Sequence, residues 1–104
     1  TTIRAYKPAY IQIVSPNPFN PPLEEVEITY RVPSETNVTI KILDQANRFV
    51  AQPVTAQRRL PNIAYCDRWN GIIWDGSTAQ NGMYYLCLEM SNGIREVYPI
   101  FVRK

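Results

Sequence analysis

Histidine is missing from this 104-residue chain, lysine occurs only at Lys7, Lys41 and Lys104, and glycine only four times. Without histidine, serine and cysteine triads that use an imidazole base are excluded. A serine–lysine pair fares little better, because the lysines fall in a tail, on the outer side of an extended run and at the terminus, none a setting that desolvates an amine. The two cysteines, Cys66 and Cys87, leave a zinc site short of ligands when no histidine can join them. Gly71, Gly76 and Gly82 do not lead a strand into a helix, so they form no phosphate cradle. No apolar run approaches the roughly 20 residues of a membrane-spanning helix. No charged leader followed by an apolar stretch opens the chain, so an exported form would be its mature form.

Charge is also unpatterned. The net charge is +2, and eight arginines are scattered from Arg4 to Arg103 with one internal pair, Arg58-Arg59. That is no basic stripe, and nucleic acid is not an expected partner. Asp67 and Asp75 are the only carboxylates near the glycine-containing loop, and with Asn81 their spacing fits turn formation rather than a glycosidase pair or a dedicated calcium loop. The expectation is a non-enzyme with no cofactor and no metal.

What is present is alternation. Val26, Ile28, Tyr30 and Val32 alternate with Glu27, Thr29 and Arg31, and Val38, Ile40 and Ile42 alternate with Thr39 and Lys41, which predicts two half-buried strands around a turn at residues 33–37. Further strands are expected at residues 11–14, 49–54, 63–69, 83–90 and 94–102. Asn47 is the residue best able to turn left-handed between the second and third of these runs. Residues 55–62 read as a polar loop carrying Arg58 and Arg59. Ser91-Asn92-Gly93 is a hairpin signal, and Pro99 marks an edge or broken strand. Seven tyrosines, three phenylalanines and two tryptophans suit pleated surfaces, and no helical periodicity appears. One domain is expected: an all-β, Ig-like β-sandwich of about seven antiparallel strands with Greek-key connections over residues 11–104, preceded by an arm at residues 1–10.

A signature runs through this pattern. Pro16-Asn17-Pro18-Phe19-Asn20-Pro21-Pro22 is a stiff corner in which Phe19 is the one large group able to plug the end of a sandwich and Asn17 and Asn20 can cap freed backbone groups. Trp69-Asn70-Gly71, Asp75-Gly76 and Asn81-Gly82-Met83-Tyr84 follow. Together these motifs resemble the Ig-like domain of the flagellar hook-capping (FlgD-like) family and the C-terminal sorting domains of type IX secretion substrates, over about ninety residues. Asn70 stands where such domains carry Asp, which removes a charge from any cation site there. The resemblance implies a core role for Trp69, with Tyr84 as its cross-strand partner, and an extracytoplasmic, secreted or cell-surface location.

If Trp69 and Tyr84 pair across an antiparallel ladder, the same register sets Cys66 opposite Cys87. A cross-strand disulfide is then the preferred reading and two packed, reduced thiols the other. Asn37-Val38-Thr39 matches a glycosylation acceptor.

The function expected is structural. The leading reading is an assembly module, most concretely a subunit of a pilus or flagellum-like filament, with Ile3, Tyr6, Tyr10, Arg58, Arg59, Trp74 and Tyr98 contacting protein partners in a homo- or hetero-oligomer. A sorting domain of a larger secreted protein is one alternative. A carbohydrate-binding module using Trp74 and Tyr85 is another.

Overall fold

Period-two alternation becomes seven strands: β1 (Ile11–Ser15), β2 (Val26–Tyr30), β3 (Thr36–Leu43), β4 (Phe49–Arg59), β5 (Tyr65–Trp69), β6 (Gly82–Met90) and β7 (Arg95–Val102). The computed structural model describes residues 10–104, so Ile3 and Tyr6 lie outside the described residues. No helix occurs among those described. All ladders are antiparallel, in a three-stranded sheet β1-β2-β5 and a four-stranded sheet β4-β3-β6-β7.

The two sheets bury their alternate residues against each other. Ile28, Ile40, Ile42, Leu86, Leu88 and Ile100 are fully buried, each contributing about 1.5–3 kcal/mol of apolar burial. The chain crosses between sheets after β2, after β4 and after β5, so β5 pairs with β2 and not with the strand before it. That is a Greek key. A constant-type Ig domain places its fourth strand beside the fifth, whereas here β4 joins β3. Among the described residues no strand takes the place beside β5.

Turn chemistry follows the sequence closely. Asn47 has φ 63° in a turn whose Asp44 carboxylate accepts the N–H groups of Ala46 and Arg48. Gly93, at φ 97°, closes the β6–β7 hairpin with its N–H on the Met90 carbonyl. Pro99 sits in β7, an edge strand, where a missing donor costs no ladder bond.

One expectation fails at β4. Residues 55–59 are strand and not loop, because β4 is an edge that tolerates Pro53 and absorbs an extra residue in a bulge. Val38 faces Gln57 while Ile40 faces Val54, and Ala56, at φ 45°, donates its N–H to Thr39 Oγ1 at 3.0 Å. The strand therefore carries Arg58 and Arg59 onward.

Both open flanks of the sandwich are closed by a charged side chain. On one, the Glu96 carboxylate of β7 accepts the N–H groups of Tyr10 and Ile11 at 2.9 Å, fixing the start of β1. Tyr10, expected in the arm, is thus tied to the domain. On the other, Arg59 of β4 bonds Asp67 of β5.

A candidate interaction surface

The signature residues are used internally. Phe19 and Trp69 pack with ring centroids 5.6 Å apart, and Trp69 meets Tyr84 edge-on at 6.0 Å. Phe19 also extends the edge of β7, its N–H on the Phe101 carbonyl and its carbonyl accepting Arg103 N–H. Asn17 completes that cover: its side-chain amide donates to the Pro99 carbonyl and accepts from Phe101 N–H. Asn20 is bonded to Glu24 through both its N–H and its carbonyl. Gly71 has φ 81°, and a Cβ there would lie 2.2 Å from Pro21 Cβ, so the two halves of the signature interlock at a point only glycine fits.

The loop after Trp69 is likewise self-satisfied. Trp69 Nε1 donates to the Ile72 carbonyl and Asn70 Oδ1 accepts Ile72 N–H. Asp75 accepts the hydroxyl and N–H of Ser77, bonds that hold its carboxyl below the usual range. Tyr84 donates its hydroxyl to the Gln80 carbonyl at 2.7 Å, and burial pushes that phenol up. Gly76 and Gly82 complete the loop at positive φ, and Pro18 lines a shallow groove with Met83 and Phe101.

The predicted cross-strand pairing of Trp69 with Tyr84 is overturned, and with it the disulfide. Trp69 lies in β5 of one sheet and Tyr84 in β6 of the other, and they touch through the core. Cys66 and Cys87 stand three residues from those inward-facing rings, so strand parity turns each away from the core, on opposite outer faces of the sandwich. Both are free thiols. Cys66 is exposed beside Glu27, and Cys87 is buried under Arg95, whose Nη2 lies 3.6 Å from Sγ.

Arg59 is no free surface cation either. Its Nε donates to Tyr30 Oη at 2.9 Å, its Nη2 to both Asp67 oxygens, and its guanidinium lies 4.8 Å above the Tyr65 ring. Tyr30 in turn donates to Asp67 Oδ2 at 2.6 Å. Burial of Tyr30, then its bond to the Asp67 carboxylate, pushes the phenol far above its ordinary value. Burial works against the Arg59 charge, but the bonds to Tyr30 and Asp67 outweigh it and hold the guanidinium protonated. Arg58 pairs with Glu35 at the surface. Tyr98 packs against the core.

Trp74 alone of the sequence-named contact residues among those described is an exposed aromatic, 71% accessible. Its N–H bonds the Val50 carbonyl on the edge of β4, which anchors its backbone beside Phe49, 48% accessible. Two grooves of about 390 and 350 Å³ share Phe49, Ile73 and Trp74. The larger one runs between Phe49–Pro53 of β4 and Arg68-Trp69-Asn70, with Glu25 at its rim. Phe49 was missed from sequence, although its signal was there: Val50 is the inward residue, so its neighbour faces out. Tyr85 lies on the outer face of the four-stranded sheet and lines neither groove, so it shares no platform with Trp74. The flank can hold an apolar partner across two aromatics with polar groups at the margin.

Comparison with protein-family models, with curated proteins and with solved structures returns no match for this chain.

Proposed function

We propose that the chain is a non-enzymatic assembly module that works outside the cytoplasm through protein contacts, most concretely as a subunit of a surface filament. The observation that carries this is the flank of Phe49, Ile73 and Trp74, where Phe49 and Trp74 stand exposed beside the half-buried Ile73 while Arg59, Asp67, Glu96 and Asp75 are engaged in structural bonds. Clustered aromatics at a groove are the common core of protein contacts. The resemblance to the hook-capping family and to type IX sorting domains supports the location outside the cytoplasm and the structural role.

Sedimentation velocity across a concentration series tests the reading. The expected result is self-association, or association with a copurifying surface protein, that is weakened at least tenfold by Phe49→Asp with Trp74→Asp. A wild-type chain that neither self-associates nor copurifies with a protein contradicts it.

Trp74 also favours a second reading, in which its open face stacks on a sugar ring and Gln52 and Glu25 at the groove margin bond hydroxyls. Glycan arrays carrying the wild type and Trp74→Ala separate the two, since only sugar binding gives signal that this substitution removes.

A further inference from the structure

The four edge strands differ in how they are protected. β7 is covered by Phe19 and Asn17. β4 carries Pro53, a bulge at Ala56 and the Trp74 N–H on Val50. β1 has its first N–H groups on the Glu96 carboxylate and runs into Pro16. β5 is five residues long and carries the inward Asp67, yet among the described residues no main-chain group of Tyr65–Trp69 bonds anything beyond the ladder to β2. An edge with uncovered main-chain groups is a template for one more strand.

That edge leads into the larger groove. β4 and β5 are held together at one end by Arg59 and Asp67, and at the other the groove of about 390 Å³ separates Phe49–Pro53 from Arg68-Trp69-Asn70. This is the place beside β5 where, among the described residues, the four-stranded sheet is faced by no strand. An extended segment there would bond β5 along one side and set alternate side chains against Phe49, Ile73 and Trp74.

We propose that the edge of β5 and the adjoining groove accept residues 1–9 of a second copy as an added strand of the three-stranded sheet. Ile3, Ala5 and Lys7 share one face of an extended segment and Thr2, Arg4 and Tyr6 the other. The first face matches the groove in character: two apolar groups, and a cation for Glu25, which has no ion-pair partner among the described residues while Arg68 is paired with Glu27. At about 3.3 Å per residue the segment is longer than the five-residue edge it must follow. Addition in this sense is head to tail, so it propagates. The proposal rests on the assembly reading and assigns it a site.

Cys66 supplies the test, because it is exposed on the outer face of β5, the side on which residues 2, 4 and 6 of an added strand would lie. Isotopically light and heavy copies of full-length Arg4→Cys are mixed, incubated with oxidised glutathione, which is reduced as the bridge forms, and mapped by mass spectrometry. The expected result is a reductant-sensitive bridge from the introduced thiol to Cys66 joining light to heavy copies, at least fivefold more abundant than from Ile3→Cys, whose thiol faces the groove. A bridge confined to one copy, or equal bridging from both positions, overturns the proposal. Oligomers that form without either bridge overturn the site and leave assembly standing. Absence of oligomers in sedimentation of the wild type overturns the proposal, and absence of a copurifying protein as well overturns the assembly reading.

Discussion

Asp67→Asn is the sharpest single perturbation of the flank that joins the two sheets. The substitution keeps the shape of the side chain and removes its charge, leaving the Arg59 guanidinium, whose side chain is 17% accessible, without its counter-ion. Removing one partner of a fully buried pair costs about 3–5 kcal/mol, and the residual solvent contact of Arg59 and Asp67 reduces that to about 3. A loss of that size lowers the melting temperature of a chain this long by about 12 °C, the per-kcal/mol shift being about 4 °C. Denaturant unfolding followed by tryptophan fluorescence measures it, with Arg59→Met and the double variant completing a thermodynamic cycle. The cycle should give a coupling above about 1 kcal/mol, with the double variant more stable than Asp67→Asn alone. A single variant within about 0.5 kcal/mol of wild type would refute the idea that this latch holds β4 to β5.

Three further outcomes follow from the geometry. The Tyr30 phenol is raised in the folded state, so its contribution is intact below its unfolded value of about 10 and is lost as pH climbs beyond it, at up to about 1.4 kcal/mol per pH unit; Tyr30→Phe should flatten that alkaline decline in pH-dependent unfolding. Tyr84, also raised, contributes in the same sense and remains in the variant. Gly71→Ala meets both an unfavourable φ and the Pro21 ring, and calorimetry should find it destabilised by about 3 kcal/mol; a loss under about 1 kcal/mol would mean the two halves of the signature do not interlock. A maleimide should modify Cys66 in the native protein and Cys87 only on unfolding, and native protein with both thiols blocked would contradict the opposed placement.

The strands were legible because burial on one face imposes a period that side chains must obey, as at Val26–Tyr30 and Val38, Ile40 and Ile42. Turns at Asn47 and Gly93 were legible because few residues accept positive φ. Strand partnership was not. Alternation says which face Trp69 occupies and nothing about whether Tyr84 reaches it along a ladder or through the core, and that ambiguity sent Cys66 and Cys87 to the same rung in the reading and to opposite faces in the fold. The end of β4 was hidden for a related reason: at an edge bulge, polar residues such as Gln57 and Arg58 face solvent on both sides, so no alternation marks the strand. Arg59 looked like a surface cation because its partners, Tyr30 and Asp67, come from two other strands.

The flank of Phe49 and Trp74 carries the functional account, so a photo-reactive amino acid at position 74, activated in the native organism with the full-length protein, tests it most directly. The account predicts protein adducts, either to a second copy or to another subunit of a surface assembly, that are lost when Phe49→Asp is added. Adducts to glycan alone, or protein adducts unchanged by Phe49→Asp, would contradict it.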